Sequence, residues 1–215
     1  HIMQSGYYNS VFGEDKKDTA KAETFLEKSG DRQALEAAYD DLEEDAAKDL
    51  ETAVPPDDNQ DYESIRDLRM RYREIGLIRN LSQRHDYRIP MVTEEGVGMI
   101  HLTLVQDAKE KGRISVHLNT QELGTVSVEA KVGSDSAELY GISDTSADKL
   151  SEKLEQAAEE LKENNGFKEV EVHCQDIRTV RRVMYDKAAE SVASDKLYKA
   201  AKTIVYALAG KTENA

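Results

Sequence analysis

The chain has 215 residues, 33% of them charged, and a formal net charge of −14; such a charge favours solubility and on average repels nucleic acid and anionic lipid. No apolar run approaches the roughly 20 residues of a membrane-spanning helix, so no membrane insertion is expected. With no Trp and 3 Phe, the core must be built from aliphatic side chains and some of the 10 Tyr, and the one cysteine, Cys174, has no partner for an internal disulfide.

Residues 1–15 are mixed polar and aromatic without a period and read as a flexible lead-in. His1-Ile2 ahead of Met3 reads as a cloning remnant on a piece of a longer protein. Residues 19–50 read as helix, broken near Ser29-Gly30-Asp31. The second piece carries Leu35, Ala38, Tyr39, Leu42, Ala46 and Leu50 at steps of three and four, with Glu36, Asp40, Asp41, Glu43, Glu44 and Asp45 on its other face. Pro55-Pro56-Asp57-Asp58-Asn59 stops it. The next helix, from near Asp61, has an apolar stripe of Ile65, Leu68, Tyr72, Ile75, Ile78 and Leu81 and a basic face of Arg66, Arg69, Arg71, Arg73 and Arg79. An acidic and a basic helix across a Pro-Pro turn predict an antiparallel pair. The apolar stripes must hold it together, because exposed ion pairs stabilise by only about 0–1 kcal/mol each. The acidic run is the expected internal partner of these arginines, which argues against nucleic acid as their ligand.

After His85 the period becomes two. Strands are expected over 87–92, with Pro90 marking an edge strand, and over 99–105, with Ile100, Leu102 and Leu104 inward. Glu94-Glu95-Gly96 is the turn between them, and 106–112 is a polar loop. Strict alternation then gives two half-buried strands, with Ile114, Val116 and Leu118 inward on one and Val126, Val128, Ala130 and Val132 on the other, joined by Thr120-Gln121-Glu122-Leu123-Gly124. Gly133-Ser134-Asp135 turns into a shorter strand at 136–142. Ala147, Leu150, Leu154, Ala157, Ala158 and Leu161 form a helical stripe, started at Thr145 with Asp148 and stopped by Asn164-Asn165-Gly166. Val170, Val172 and Cys174 return to alternation, and two helices follow at 175–189 and 193–209, the last with Ile204, Val205 and Leu208. The fold class is α+β: a mostly antiparallel sheet of four to six strands covered by the helix 145–164. A helical region at 16–84 precedes it, the sheet domain spans 86–174, and the C-terminal helices of 175–215 pack on it.

The segment from Ile114 to Ala130, with Leu118 leading Thr120-Gln121-Glu122-Leu123-Gly124, resembles the C-terminal domain of the bacterial flagellar hook-length control proteins. That family carries Leu-x-Pro-Glu-Glu-Leu-Gly between two strands. A further strand (Ala137, Leu139), a helix (Leu150, Leu154, Leu161) and a closing strand (Val170, Val172) follow in the family's order, so the resemblance covers residues 87–174. Thr120 stands at the family's proline and Gln121 at its first glutamate. The resemblance implies a non-enzymatic domain without cofactor that contacts the cytoplasmic domain of the flagellar export-gate protein. That contact switches type III export from hook-type to filament-type substrates. It also implies a cytoplasmic location, with passage through the export apparatus, and assigns partner binding to Leu118, Gln121, Glu122, Leu123 and Gly124. The same residues also read as a well-made turn, with Gly124 supplying a permissive backbone, Leu123 plugging the core edge and Glu122 in solvent.

Other chemistry is sparse. Gly96-Val97-Gly98 lacks the third glycine and the helix of a phosphate loop and reads as a hairpin turn. Cys174, inward on its strand, reads as a small buried hydrophobe, and Ser143 to Ser146 as a helix start. His101, His117 and His173 fall on the polar phase of their strands. If Leu104 faces Ile114, His101 faces His117 at roughly 4.5–5.5 Å between Cβ atoms. Such a pair could bind a metal or repel when protonated, or simply be solvated. A third reading is an adaptor that takes a partner strand at the edge 87–92.

Overall fold

Alternating apolar residues give each strand one dry face, and six such strands share theirs in a single sheet. The computed structural model describes residues 16–53, 61–93, 96–106, 111–176 and 193–211. The expected lead-in at 1–15, the Pro55–Asn59 stop, Glu94-Glu95, residues 107–110 of the polar loop and residues 177–189 of an expected helix lie outside the described residues. Strands β1 (Asp86–Thr93), β2 (Gly96–Gln106), β3 (Gly112–Thr120), β4 (Gly124–Val132), β5 (Ser136–Ser143) and β6 (Glu169–Asp176) lie side by side in sequence order. Neighbours are antiparallel except β5 and β6, which run parallel across a helical crossover. The chain is therefore α+β, with helices on both sides of the sheet in sequence. Two boundaries differ from expectation. Gly96, Val97 and Gly98 are not the turn: they pair with Thr93, Val92 and Met91 as the first rungs of the hairpin. Gln175 and Asp176 continue β6 against Ile142 and Ser143 rather than opening a helix.

Five helices are described: α1 (Lys16–Lys28), α2 (Arg32–Thr52), α3 (Asp61–Ser82), α4 (Ala147–Asn164) and α5 (Asp195–Leu208). The expected break between α1 and α2 is present, and Asp31 caps α2 by accepting the Ala34 N–H at 2.9 Å. α2 and α3 form the expected antiparallel pair, with Arg79 reaching Asp40 at 2.5 Å and Glu43 at 3.1 Å. The cap of α4 is Ser146, whose hydroxyl accepts the Lys149 N–H, and not Thr145. The Thr145 hydroxyl instead donates to Asp144 Oδ1 at 3.0 Å. Asn165 and the left-handed Gly166 (φ 71°) end α4 as the sequence predicts.

The inner face of the sheet is dry: Tyr87, Leu102, Val116 and Val128 line one row, and Ile89, Ile100, Leu118 and Val126 the next. The expected cover, α4, packs chiefly on β5 and β6; α5 lies over β2 and β3, and α1 and α3 contact β1. More than one helix is needed because a six-stranded sheet is wider than one helix about 10 Å across. α5 seats closely because Gly112 has no side chain: a Cβ there would lie 2.4 Å from Leu197 Cδ1. One continuous cluster of buried side chains runs from Phe25 through the sheet to Leu208.

Candidate functional site

Between the last β3–β4 rung, Thr120 with Gly124, three residues turn the chain: Gln121, Glu122 and Leu123. Gly124 has φ 66°, the left-handed residue that closes a three-residue hairpin. The turn is held from inside and from beside. Thr120 Oγ1 accepts the Leu123 N–H at 3.1 Å. The Ser143 hydroxyl donates to Leu123 O at 2.6 Å while accepting the N–H groups of Thr145 and Ser146 at 3.1 and 2.9 Å. Asp144 Oδ1 accepts the Thr125 N–H at 2.8 Å, and this bond, with one from Thr145, holds its carboxyl below the usual carboxylate range. The β5–α4 connection is thus a clasp around the hairpin tip.

The five residues singled out in the sequence divide accordingly. Leu118 (4% exposed) and Leu123 (1%) belong to the core, and Gly124 fits the clasp. Gln121 and Glu122 stand exposed at the tip. Glu122 lies 3.9 Å from Lys149 and 3.5 Å from Lys153, both on the first turns of α4. Two clefts of about 300 and 320 Å³ are described, one between α1 and α2 and one at the end of β3 and β4, and no residue of the tip lines either. The tip is an exposed, mixed-charge surface on a hydrogen-bonded turn, suited to contact with another macromolecule.

The histidine pair has the anticipated register: His101 faces His117, with Arg88 across β1 from His101. His173 stands apart on β6, stacked on Tyr140 at 5.0 Å. No group of three His, Cys, Asp or Glu able to hold a metal occurs among the described residues, and the Arg88 guanidinium beside His101 disfavours a cation there. Burial first, then Arg88, push the His101 pKa down to about 4, with Asp86 opposing and His117 adding slightly. The folded protein therefore keeps His101 neutral at pH values where the unfolded chain, near 6.5, binds a proton. Its contribution to stability is complete above 6.5 and declines as pH falls toward about 4. Urea denaturation across that window should show this decline, and His101→Gln should flatten it while leaving the acid limb due to carboxylates.

The edge 87–92 is closed at its centre. The Tyr39 hydroxyl donates to Arg88 O at 2.8 Å and accepts the Arg88 N–H at 3.0 Å, and Pro90 has no N–H. A strand added there would lack the donor–acceptor pairs it needs. Cys174 is half-buried against the core and its thiol pKa is pushed up by burial, as suits a packing residue. The sequence did not reveal a buried polar knot. Tyr87 and Tyr198, both fully buried, bring their hydroxyls to 2.5 Å, and His85 Nδ1 lies 2.8 Å from the Tyr198 hydroxyl. Burial raises both phenol pKa values, so at neutral pH the pair is a hydrogen-bonded tie. Tyr87 is legible as an inward strand residue; nothing in the sequence joins it to Tyr198.

Compared with known proteins, the chain matches no family model, no curated protein and no solved structure.

Proposed function

We propose that the chain works by protein–protein contact through the β3–β4 hairpin tip, in the manner of the switch domain that the segment around it resembles. The observation that supports this most is the clasp: the hydroxyls of Thr120 and Ser143 and the carboxylate of Asp144 hold a turn whose two outermost residues bind nothing in the core. Order at an exposed tip lowers the entropy lost on binding. In this reading Leu118, Leu123 and Gly124 position the tip, and Gln121 and Glu122 make the contact beside Lys149 and Lys153. The partner is the cytoplasmic domain of a flagellar export-gate protein, met in the cytoplasm before export, and no catalysis is involved.

The test is binding of the purified chain to that immobilised domain. Glu122→Lys places a third ammonium beside Lys149 and Lys153, and the affinity is expected to fall about tenfold or more, with Gln121→Ala costing less. A folded Glu122→Lys protein that binds as well as the parent removes the tip from the contact. A parent chain that does not bind removes the export gate as partner.

A further inference from the structure

The acidic run of α2 does not neutralise the basic face of α3. Among the described residues Arg79 lies on the seam, against Asp40 and Glu43. Arg66, Arg69 and Arg73 are exposed; among the described residues Arg69 and Arg73 have no ion pair, and Arg66 has only its chain neighbour Asp67 at 3.7 Å. At steps of three and four these arginines share a stripe with Met70 and Leu77. Those two are the large hydrophobic side chains exposed among the described residues, at 44% and 61%.

α2 carries a matching stripe. Asp41, Glu44 and Glu51 are exposed, and Lys48, exposed on the same face between Glu44 and Glu51, pairs with Glu44 along the helix. The buried stripes, Leu35, Ala38, Tyr39 and Leu42 on α2 and Ile75 and Ile78 on α3, belong to one core. Both exposed stripes therefore turn away from that core, to the same outer side. The helical hairpin presents an acidic strip and a basic strip side by side. Their levels are set by the contacts of Asp40 with Arg79 and of Glu43 with Gly76. By that register Glu44 stands level with Ile75, and Glu51 with Leu68.

We propose that two copies of this chain pair hairpin to hairpin about a two-fold axis running along the helices, laying the acidic α2 of each on the basic α3 of the other. Such an axis keeps every residue at its own level. Glu44 of one copy then comes between Arg73 and Leu77 of the second, and Glu51 between Arg66 and Arg69. Met70 and Leu77 are covered on both sides of the axis. An unrelated acidic segment would cover the basic strip and leave the acidic one bare; a second copy covers both. The contact is isologous and closes at two. The other face-to-face pairing, α2 on α2 and α3 on α3, sets like charges against each other.

Sedimentation equilibrium of the full chain tests this at a salt concentration of about 0.1 M, where the screening length of about 10 Å leaves local pairs dominant over the net charge. The parent is expected to show a reversible monomer–dimer equilibrium. The double variants Arg69→Glu/Arg73→Glu and Glu44→Lys/Glu51→Lys should each lose at least tenfold in association. Their equimolar mixture should regain the dimer, because new lysines meet new glutamates on one side and parental pairs remain on the other. Leu77→Glu, alone on the same stripe, should also weaken the dimer and serves where a double variant melts below the parent. A parent that remains monomeric at millimolar concentration overturns the proposal. So do variants that associate like the parent, a mixture of stably folded variants that fails to regain the dimer, or assemblies that grow beyond two.

Discussion

Gly124→Ala is expected to lower the unfolding free energy by about 3 kcal/mol, far more than the same substitution at Gly166, a left-handed glycine at the end of α4. Both positions have similar backbone angles, φ 66° and 71°. An L residue in that region costs about 1–2 kcal/mol wherever it stands. The surroundings differ. A Cβ on Gly166 meets nothing within 4 Å, whereas on Gly124 it would fall 2.0 Å from Asp144 Oδ1 and 2.1 Å from Thr145 Oγ1. Those atoms are held: Asp144 accepts the Thr125 N–H at 2.8 Å and the Thr145 hydroxyl at 3.0 Å. Making room breaks hydrogen bonds to a charged group, each worth about 1.5–3 kcal/mol. Urea denaturation of the two variants, with the m-value checked for constancy, gives the comparison. Equal losses at the two glycines would mean that the clasp yields freely and the tip is not the fixed platform described above.

The parts of the fold that were legible are those in which local period and tertiary position agree. In 114–118 and 126–132 every second residue is apolar, and a one-residue slip would turn Ile114, Val116 and Leu118 to the wet face. That constraint fixes which face each residue takes; His101 against His117 follows only once Leu104 is set against Ile114, a pairing the structure has. α4 was legible for the same reason, down to its stop at Asn165-Gly166. The wide cover of the sheet was not. α5 buries Leu197, Tyr198, Ala200, Ala201, Ile204, Val205, Ala207 and Leu208, so its apolar surface runs almost all round. All-round burial says that a helix is inside without saying against what. The alanines and Gly112 were the available signal, since small residues mark places where backbones approach.

Charge was legible as a pattern and misleading as a set of partners. The acidic and basic faces of α2 and α3 predicted their pairing, which Arg79 carries out with Asp40 and Glu43. The extension of that pairing to Arg66, Arg69 and Arg73 fails because α2 and α3 are held by buried aliphatic stripes, and those stripes set the rotation of each helix about its axis. Ion pairs of about 0–1 kcal/mol cannot turn a helix against that burial. In the candidate site the same hierarchy holds: Leu118 and Leu123 follow the core, and only the residues that the core does not need, Gln121 and Glu122, are left at the surface.

Tyr198→Ala is expected to cost about 4 kcal/mol, among the largest losses any single truncation would cause here, and Tyr198→Phe about 1–2 kcal/mol. Tyr198 is fully buried, edge-on to Tyr87 with ring centroids 6.0 Å apart and to His85 at 6.2 Å. Alanine removes the ring and leaves a cavity under α5, at the point where that helix meets β1 and the end of α3. Phenylalanine keeps the ring and removes only the hydroxyl that lies 2.5 Å from Tyr87 and 2.8 Å from His85. The Tyr87 hydroxyl would then retain a 3.4 Å approach to His85 Nδ1, a poor replacement. Because the two hydroxyls satisfy each other, the double variant Tyr87→Phe/Tyr198→Phe should cost less than the sum of its singles, by about 1 kcal/mol. Chemical denaturation of the four proteins measures the cycle. Single losses that add without a remainder would show that the hydroxyls do not act as a pair, and that α5 is anchored by ring packing alone.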